Sequence, residues 1–373
     1  MRPSAQYTES VTTVDTAKPT LSEVARRAGV GRSSAARVLG NYGSVSAHTR
    51  ERVLAAAREL GYETNELARS MSTGVTMTLG VVVADIANPF FAGVLRGIAD
   101  AAREAGYGTV LVNTDEDEAR EDEAVRLLMG KQVDGIVIAP AGGAAADPNP
   151  LRTAQLRGVP IVQIDRTLAG LEADAVVMDN RHAARDATEL LIAAGHRRIA
   201  LVWGPARLGR QTVTPSSLER WATTTELTSV GERFLGYRAA LDAADLELDP
   251  AIVMTGEQSI AGVRAFVRTV LATPRPPTAF IATELDAVIG VLEEVHAAGL
   301  RVPADMSIVG FDDSPWASVF DPPITTVRQP VQRLGEHAAR RLIERISGAG
   351  GEPFVDHLAS ELIDRGSIAA PRG

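Results

Sequence analysis

Apolar residues recur along this chain with two spacings, and the change of spacing divides it. Near the start the spacing is helical: Leu21, Val24, Ala25 and Ala28 fall at i, i+3, i+4 and i+7, one face of a short helix. Thr20-Leu21-Ser22-Glu23 reads as a capping box ahead of it, and Gly29 stops it. After Gly29-Val30-Gly31 a second helix is predicted over 32–39. Ala35, Val38 and Leu39 face inward; Arg32, Ser33 and Arg37 face out. A third helix is predicted from Ser46 to Leu60, burying Val53, Ala57 and Leu60, with Tyr62 packed beneath. Thr49 and Arg50 stand at its start, well placed for a phosphate. Two short helices joined by a Gly-containing turn form the helix-turn-helix pattern.

Beyond residue 75 continuous apolar runs alternate with helical stretches. Strands are predicted at 79–84, 109–112, 135–139, 161–164, 199–202, 279–282 and 306–309, with helices at 90–104 and 118–129 between the first of them. Apolar strands separated by amphipathic helices predict parallel sheets covered on both faces. About 300 residues of this rhythm fit two doubly wound lobes better than one. The expected fold class is therefore α/β with an all-α head.

Composition narrows the function. The chain of 373 residues has no cysteine, so it has no disulfide framework and no thiolate site, which fits a reducing cytoplasm. The first 18 residues are polar and read as a flexible tail rather than a secretory signal. No apolar run is long enough to span a membrane. The net charge of -9 is unevenly spread. Residues 19–74 carry 8 Arg against 5 Glu, so the head is basic and the body strongly acidic. A basic head on an acidic body presents the head to DNA and keeps the body away from it.

The stretches LSEVARRAGVGRSSAARVLG, TLGVVVADIANPFFAGVLRGIADAAREAGY, VDGIVIAP, GHRRIALV, GLRVPADMSIVGFDD and PPITTVRQP follow one another in order. In them the chain resembles the lactose-repressor/galactose-repressor family of bacterial transcription regulators over nearly its whole length past Thr20. The resemblance implies a tail at 1–18, a helix-turn-helix domain at 19–63, a hinge at 64–75 and a two-lobed core at 76–373, like periplasmic sugar-binding proteins. It places lobe 1 at about 76–178 and 311–330 and lobe 2 at about 180–309 and 341–373. Crossings are expected near Asp179, Phe311 to Asp313, and after Pro330.

The resemblance also implies roles. DNA contacts fall on Thr20, Ser22, Arg32, Ser33, Arg37 and Thr49. An Arg can take two acceptors on a guanine edge, although Arg32 against a phosphate would add affinity without sequence preference. In the hinge, Asn65 is placed to cap a short helix, Ala68 lets the backbone approach closely, and Met71 wedges a base step in the minor groove. Effector contacts are implied for Phe90, Phe91, Asp165, Arg166, Trp203, Arg233, Gln258 and Asp286 in the cleft between the lobes. A homodimer on a pseudo-palindromic operator and a carbohydrate-like effector follow, with no cofactor and no metal.

The sequence also departs from the family. Gly31 and Ala36 replace usual serines, Thr64 replaces a usual proline, and Glu66 adds a negative charge in the hinge. The family's Asp after the 279–282 strand is expected at Leu285, with Asp286 next to it, which puts a sugar effector in doubt. Residues 206–230, with Arg207, Arg210, Arg220 and Trp221, read as an insertion, either a lid over the cleft or a disordered loop. A transport-associated binding protein would fit the body but not the head. An enzyme would need a constellation that is missing: there is no Gly-x-Gly-x-x-Gly after a strand, no phosphate loop, no His-Glu-x-x-His and no Gly-x-Ser-x-Gly.

Overall fold

A computed structural model describes residues 19–40, 43–62, 74–141, 149–202, 204, 213–224, 228–255 and 259–372. The chain divides into two units, Met1–Thr76 and Met77–Gly373.

In the first unit, helices α1 (Leu21–Ala28), α2 (Arg32–Leu39) and α3 (Ala47–Leu60) enclose a small core. The capping box forms: the Glu23 amide donates to the Thr20 hydroxyl at 3.3 Å, and the Thr20 amide donates to the Glu23 carboxylate at 2.7 Å. Gly29 ends α1 with φ 62°, a left-handed conformation that glycine adopts without strain. Arg52 of α3 donates to the Ala28 and Gly29 carbonyls at 2.5 and 3.3 Å, satisfying groups that the helix end leaves open. The core is built from small residues, Val24, Ala25, Ala28, Ala35, Val38, Val53, Ala56 and Ala57, with Leu60 and Tyr62 packed against it. The hinge positions Asn65, Ala68 and Met71 lie outside the described residues.

The second unit holds two sheets. The first uses β1 (Thr78–Val83), β2 (Gly108–Asn113), β3 (Gly135–Ile138), β4 (Ile161–Ile164), β5 (Asp174–Met178) and β10 (Val355–Leu358), in the order β10-β5-β4-β3-β1-β2. All its pairings are parallel. The second uses β6 (Ile199–Val202), β7 (Ala279–Ala282), β8 (Ser307–Phe311), β9 (Thr325–Arg328) and β11 (Glu361–Ile363), in the order β11-β9-β8-β7-β6. Only β11 against β9 is antiparallel. The central strands are buried almost throughout, as strands covered on both faces must be. No helix among the described residues is long and apolar enough to cross a membrane.

The helices follow the same division. On the first sheet, α4 (Pro89–Glu104) and α13 (Val331–Ile346) share one apolar core, and α5 (Glu118–Gly130) and α6 (Asn149–Leu156) contribute to the core of the other face. On the second, α7 (Asn180–Ala193), α8 (Pro215–Thr224) and α9 (Thr228–Ala243) cover one face. There α10 (Ile260–Leu271) and α11 (Leu285–Ala297) cover the other, and α12 (Pro315–Val319) follows β8. Gly97 and Gly335 let α4 and α13 touch backbone to backbone. A Cβ on Gly97 would stand 2.0 Å from the Gln332 carbonyl oxygen, and one on Gly335 would stand 2.0 Å from that of Val94.

The expected wiring of the lobes needs correction. Residues 311–330 do not join lobe 1: Val309 pairs with Thr325 and Phe311 with Val327 inside the second sheet. Nor do all of residues 341–373 join lobe 2. Most of α13 covers the first sheet, where Arg341 and Arg345 bind the buried Asp174 carboxylate at 3.0 and 2.6 Å. Strand β10 extends that sheet. The chain crosses at Asp179, between β9 and α13, and between β10 and β11, not at Phe311 to Asp313.

The insertion also has structure. Its described part, α8, buries Leu218 and Ala222 in the core shared with Val230 and Phe234, with Val213 and Trp221 packed against it. Pro215–Thr224 therefore forms a docked helix on the second lobe rather than a loop.

Candidate functional site

Two sites emerge, one in each unit. In the first, α2 turns Ala35 and Val38 into the core and leaves Arg32, Ser33 and Arg37 exposed together. The rows at i, i+1 and i+5 form one outward stripe, as the sequence predicts. Ser22 is exposed on α1. The Thr20 hydroxyl is engaged by its own cap, donating to Glu23 at 3.0 Å, so helix capping already uses that group. The same interaction with the Thr20 backbone and hydroxyl holds the Glu23 carboxyl below the usual carboxylate range. Ser46 caps α3 and its hydroxyl donates to that of Thr49 at 2.9 Å, so the Thr49 O–H points onward. Among the described residues, then, α2 offers two guanidiniums and a hydroxyl with no competing carboxylate bonded to them.

The second site gathers polar residues at the carboxyl ends of strands from both sheets, where open parallel sheets bind ligands. Asp165 and Arg166 follow β4 and are buried, 8% and 5% exposed. Asp165 has φ 69°, a left-handed conformation costly for a residue with a side chain, which directs the pair off the strand. Arg166 donates twice to Glu116 at 2.8 and 3.0 Å and once to Asp165 at 3.1 Å. Burial opposes its charge, but the two carboxylates outweigh burial and hold the guanidinium more firmly protonated.

From the second lobe, Arg233 of α9 donates to Asn180 Oδ1 at 2.8 Å and to the Thr283 carbonyl at 2.6 Å. Its guanidinium lies over the Phe311 ring, 4.7 Å from the centroid. Asp312 follows β8, and accepts from Gln329 Nε2 at 2.5 Å. Glu284 is the N-cap residue of α11, directly after β7 and Thr283. Desolvation pushes its carboxyl up to about 7, with Arg233 and Arg166 pulling it down and Asp312 and Glu116 adding to the rise. Desolvation likewise raises Asp312, with Arg233 and Gln329 opposing and Asp165 reinforcing. The couplings from Asp165 to Asp312 and from Arg166 to Glu284 join the two lobes in one electrostatic unit. A direct bond joins them too: the Thr167 amide donates to the Thr228 hydroxyl at 3.2 Å. No group of three or more His, Cys, Asp or Glu among the described residues is arranged to hold a metal.

Several expectations change here. Asp165, Arg166 and Arg233 are brought into one electrostatic cluster through Glu284 and Asp312. Phe90 and Phe91 do not present open ring faces: packed edge to face at 5.1 Å, they lie in the core under α4, 8% and 3% exposed. Asp286 is exposed on the first turn of α11 and takes no part in the contacts described. The carboxylate expected to be lost at Leu285 is present one residue earlier, on Glu284. Trp203 and Gln258 lie outside the described residues. Glu116, Asn180, Thr283, Asp312 and Gln329 were not singled out from sequence; each is a polar residue at or just beyond an apolar strand run, and that was the available signal.

Residues 20–65 match the family model described as bacterial regulatory proteins, lacI family. Residues 76–366 match that of periplasmic binding proteins and the sugar binding domain of the LacI family. The chain is 35% identical to the HTH-type transcriptional regulator CelR of Thermobifida fusca, over 94% of this chain and 98% of the relative. A solved complex of the transcriptional regulator CelR with cellobiose aligns with TM-score 0.67 and 34% identity, covering 94% of this chain and all of that one. The lac repressor dimer bound to operator and an anti-inducer aligns with TM-score 0.78 and 25% identity, covering 95% of this chain and all of that one.

Proposed function

The chain belongs to the lacI family of bacterial regulatory proteins, and from that premise we propose that it is a cytoplasmic repressor that binds a pseudo-palindromic operator as a homodimer and is controlled by a carbohydrate-like ligand between its lobes. As a family member it is a DNA-binding transcription regulator; its relatives are named as regulators, not as enzymes. The observation that carries the reading is the convergence of Arg166, Arg233, Asp165 and Asp312 from two lobes, in a chain whose head exposes Arg32, Ser33 and Arg37 on one helix.

The mechanism is linkage. A ligand that contacts both lobes favours the arrangement in which Asp165–Arg166 and Arg233–Asp312 are close. It shifts the populations of the two arrangements only by its difference in affinity for them. In a dimer, that shift reaches the paired heads and the hinge residues Asn65, Ala68 and Met71, which supply the minor-groove contact. Base readout falls to Arg32, Ser33 and Arg37, and phosphate contact to Ser22, Thr49 and the Thr20 turn. In this reading Trp203 and Gln258, which lie outside the described residues, complete the ligand's surroundings.

The test is selection of a duplex from random DNA by the full chain, followed by titration with cellobiose. A twofold-symmetric sequence and a ligand-dependent change in its affinity support the reading. Selection of no sequence, or DNA binding that loss of residues 1–62 leaves intact, refutes it.

A further inference from the structure

The polar groups of the interlobe site are unequal in kind. Four carboxylates, on Glu116, Asp165, Glu284 and Asp312, share it with two guanidiniums. The guanidiniums are largely committed. Arg166 places Nε, Nη1 and Nη2 on Glu116 and Asp165. Arg233 spends Nε on Asn180 and Nη1 on the Thr283 carbonyl, leaving its Nη2 edge, and its face is covered by Phe311. What the site leaves open is mostly acceptor. Gln329, 7% exposed, donates through Nε2 to Asp312, and its Oε1 is buried with no hydrogen-bond partner. Asp165 holds Arg166 Nε on its Oδ2. A buried acceptor without a donor is unfavourable, so the site is complementary to a ligand rich in O–H or N–H.

From this we infer that the interlobe site takes an uncharged, hydroxyl-rich ligand and rejects phosphorylated or carboxylated ones. The inference rests on the reading of this cleft as the effector site and sharpens it to a charge class. A phosphate or carboxylate brings only acceptors to a site already rich in them, and adds negative charge beside Asp165 and Asp312. An uncharged polyol can instead donate to Gln329 Oε1, Asp165 and Asp312 and accept from the remaining Arg233 edge. Among the described residues no further cation is bonded into this cluster. Arg207 and Arg210 of the insertion stand after β6 in the chain, so they enter the test.

The experiment is calorimetric titration of the full chain with matched pairs: cellobiose against cellobionate, and ribose against ribose 5-phosphate, with inorganic phosphate as a bare anion. The uncharged member of a binding pair is expected to bind at least about tenfold more tightly, what like charges roughly 10 Å apart give at an effective dielectric near 20. Measured at pH 8, above the value of about 7 to which burial raises Glu284, the double variant Glu284→Gln, Asp312→Asn should narrow that ratio, and an unchanged ratio would remove charge as its cause. An anionic member that binds as tightly as its partner overturns the inference, whether or not Arg207→Ala and Arg210→Ala abolish the binding. If neither pair binds while DNA is still bound, the carbohydrate reading fails on its own. The phosphate titration then decides the charge claim: no heat supports it, and binding lost in Arg166→Gln overturns it.

Discussion

The guanidinium of Arg233 lies 4.7 Å over the ring of Phe311, with Nε on Asn180 and Nη1 on the Thr283 carbonyl. Three parts of the second lobe thus meet on one side chain: the crossing after Asp179, the end of β7 and the end of β8. A lysine carries the same charge but cannot cover a ring and reach two acceptors in a plane. Arg233→Lys should therefore weaken ligand binding by more than about tenfold and lower stability by about 2 kcal/mol, the scale of a hydrogen bond to a charged group. Operator affinity without ligand should hold. Calorimetry and a thermal melt measure the first two, and unchanged ligand affinity would mean that Arg233 serves packing alone.

On the head, Arg32 and Arg37 share the exposed face of α2. Loss of a base-reading Arg costs about 1–3 kcal/mol and relaxes preference at one position. Loss of a phosphate contact weakens all sequences alike and lowers the salt slope by about one. Arg32→Ala and Arg37→Ala should behave in the first way. Anisotropy titrations against the selected duplex and a scrambled one, at several salt concentrations, separate the outcomes.

Glu284 and His196 give opposite pH dependences. Burial raises the Glu284 carboxyl to about 7, so the folded chain holds a proton that the unfolded chain releases above about 4.5. Its contribution to stability is lost as pH rises through that window. Glu284→Gln should gain on the parent in thermal midpoint between pH 5 and pH 8. His196, pinned between Thr278, Ser307 and the Ala369 carbonyl, has its pKa lowered by desolvation, against the pull of that carbonyl. The unfolded chain takes up the proton first, so stability falls as pH drops below about 6.5. His196→Gln should flatten the acid side of the same curve.

The docked helix α8 makes a separate prediction. Leu218 has no exposed surface and joins the core around Phe234. Leu218→Ala should cost about 2–5 kcal/mol, the range for truncating a buried leucine. A midpoint within a degree of the parent would mean that the helix is not docked in solution.

Much of this was legible from local signals. Thr20, Glu23 and Gly29 fix the first helix by groups within a few residues of one another, and the structure reproduces it. The apolar strand runs also stood out, because parallel strands covered on both faces lack alternation. What failed was non-local or a matter of one residue. The place of 311–330 depends on Thr325 pairing with Val309, which no spacing reveals. The Glu284 carboxylate was missed by a single position at a strand-to-helix junction. Phe90 and Phe91 stand where a ligand contact is implied, but the apolar face of α4 that carries them packs into the core of the first lobe. For α8 the signal is local: Leu218, Trp221 and Ala222 fall at i, i+3 and i+4, a helical spacing within a stretch whose length alone suggests a loop.

The claim at the centre is that one ligand site and one DNA site are thermodynamically coupled in this chain. The direct measurement is the dissociation constant for the selected duplex, with and without saturating cellobiose or ribose, in the parent and in Arg233→Lys. A ligand-dependent change of about 5–150-fold in the parent, absent in the variant, is the predicted result. A ligand that binds the chain with full occupancy and leaves DNA affinity unchanged would contradict it.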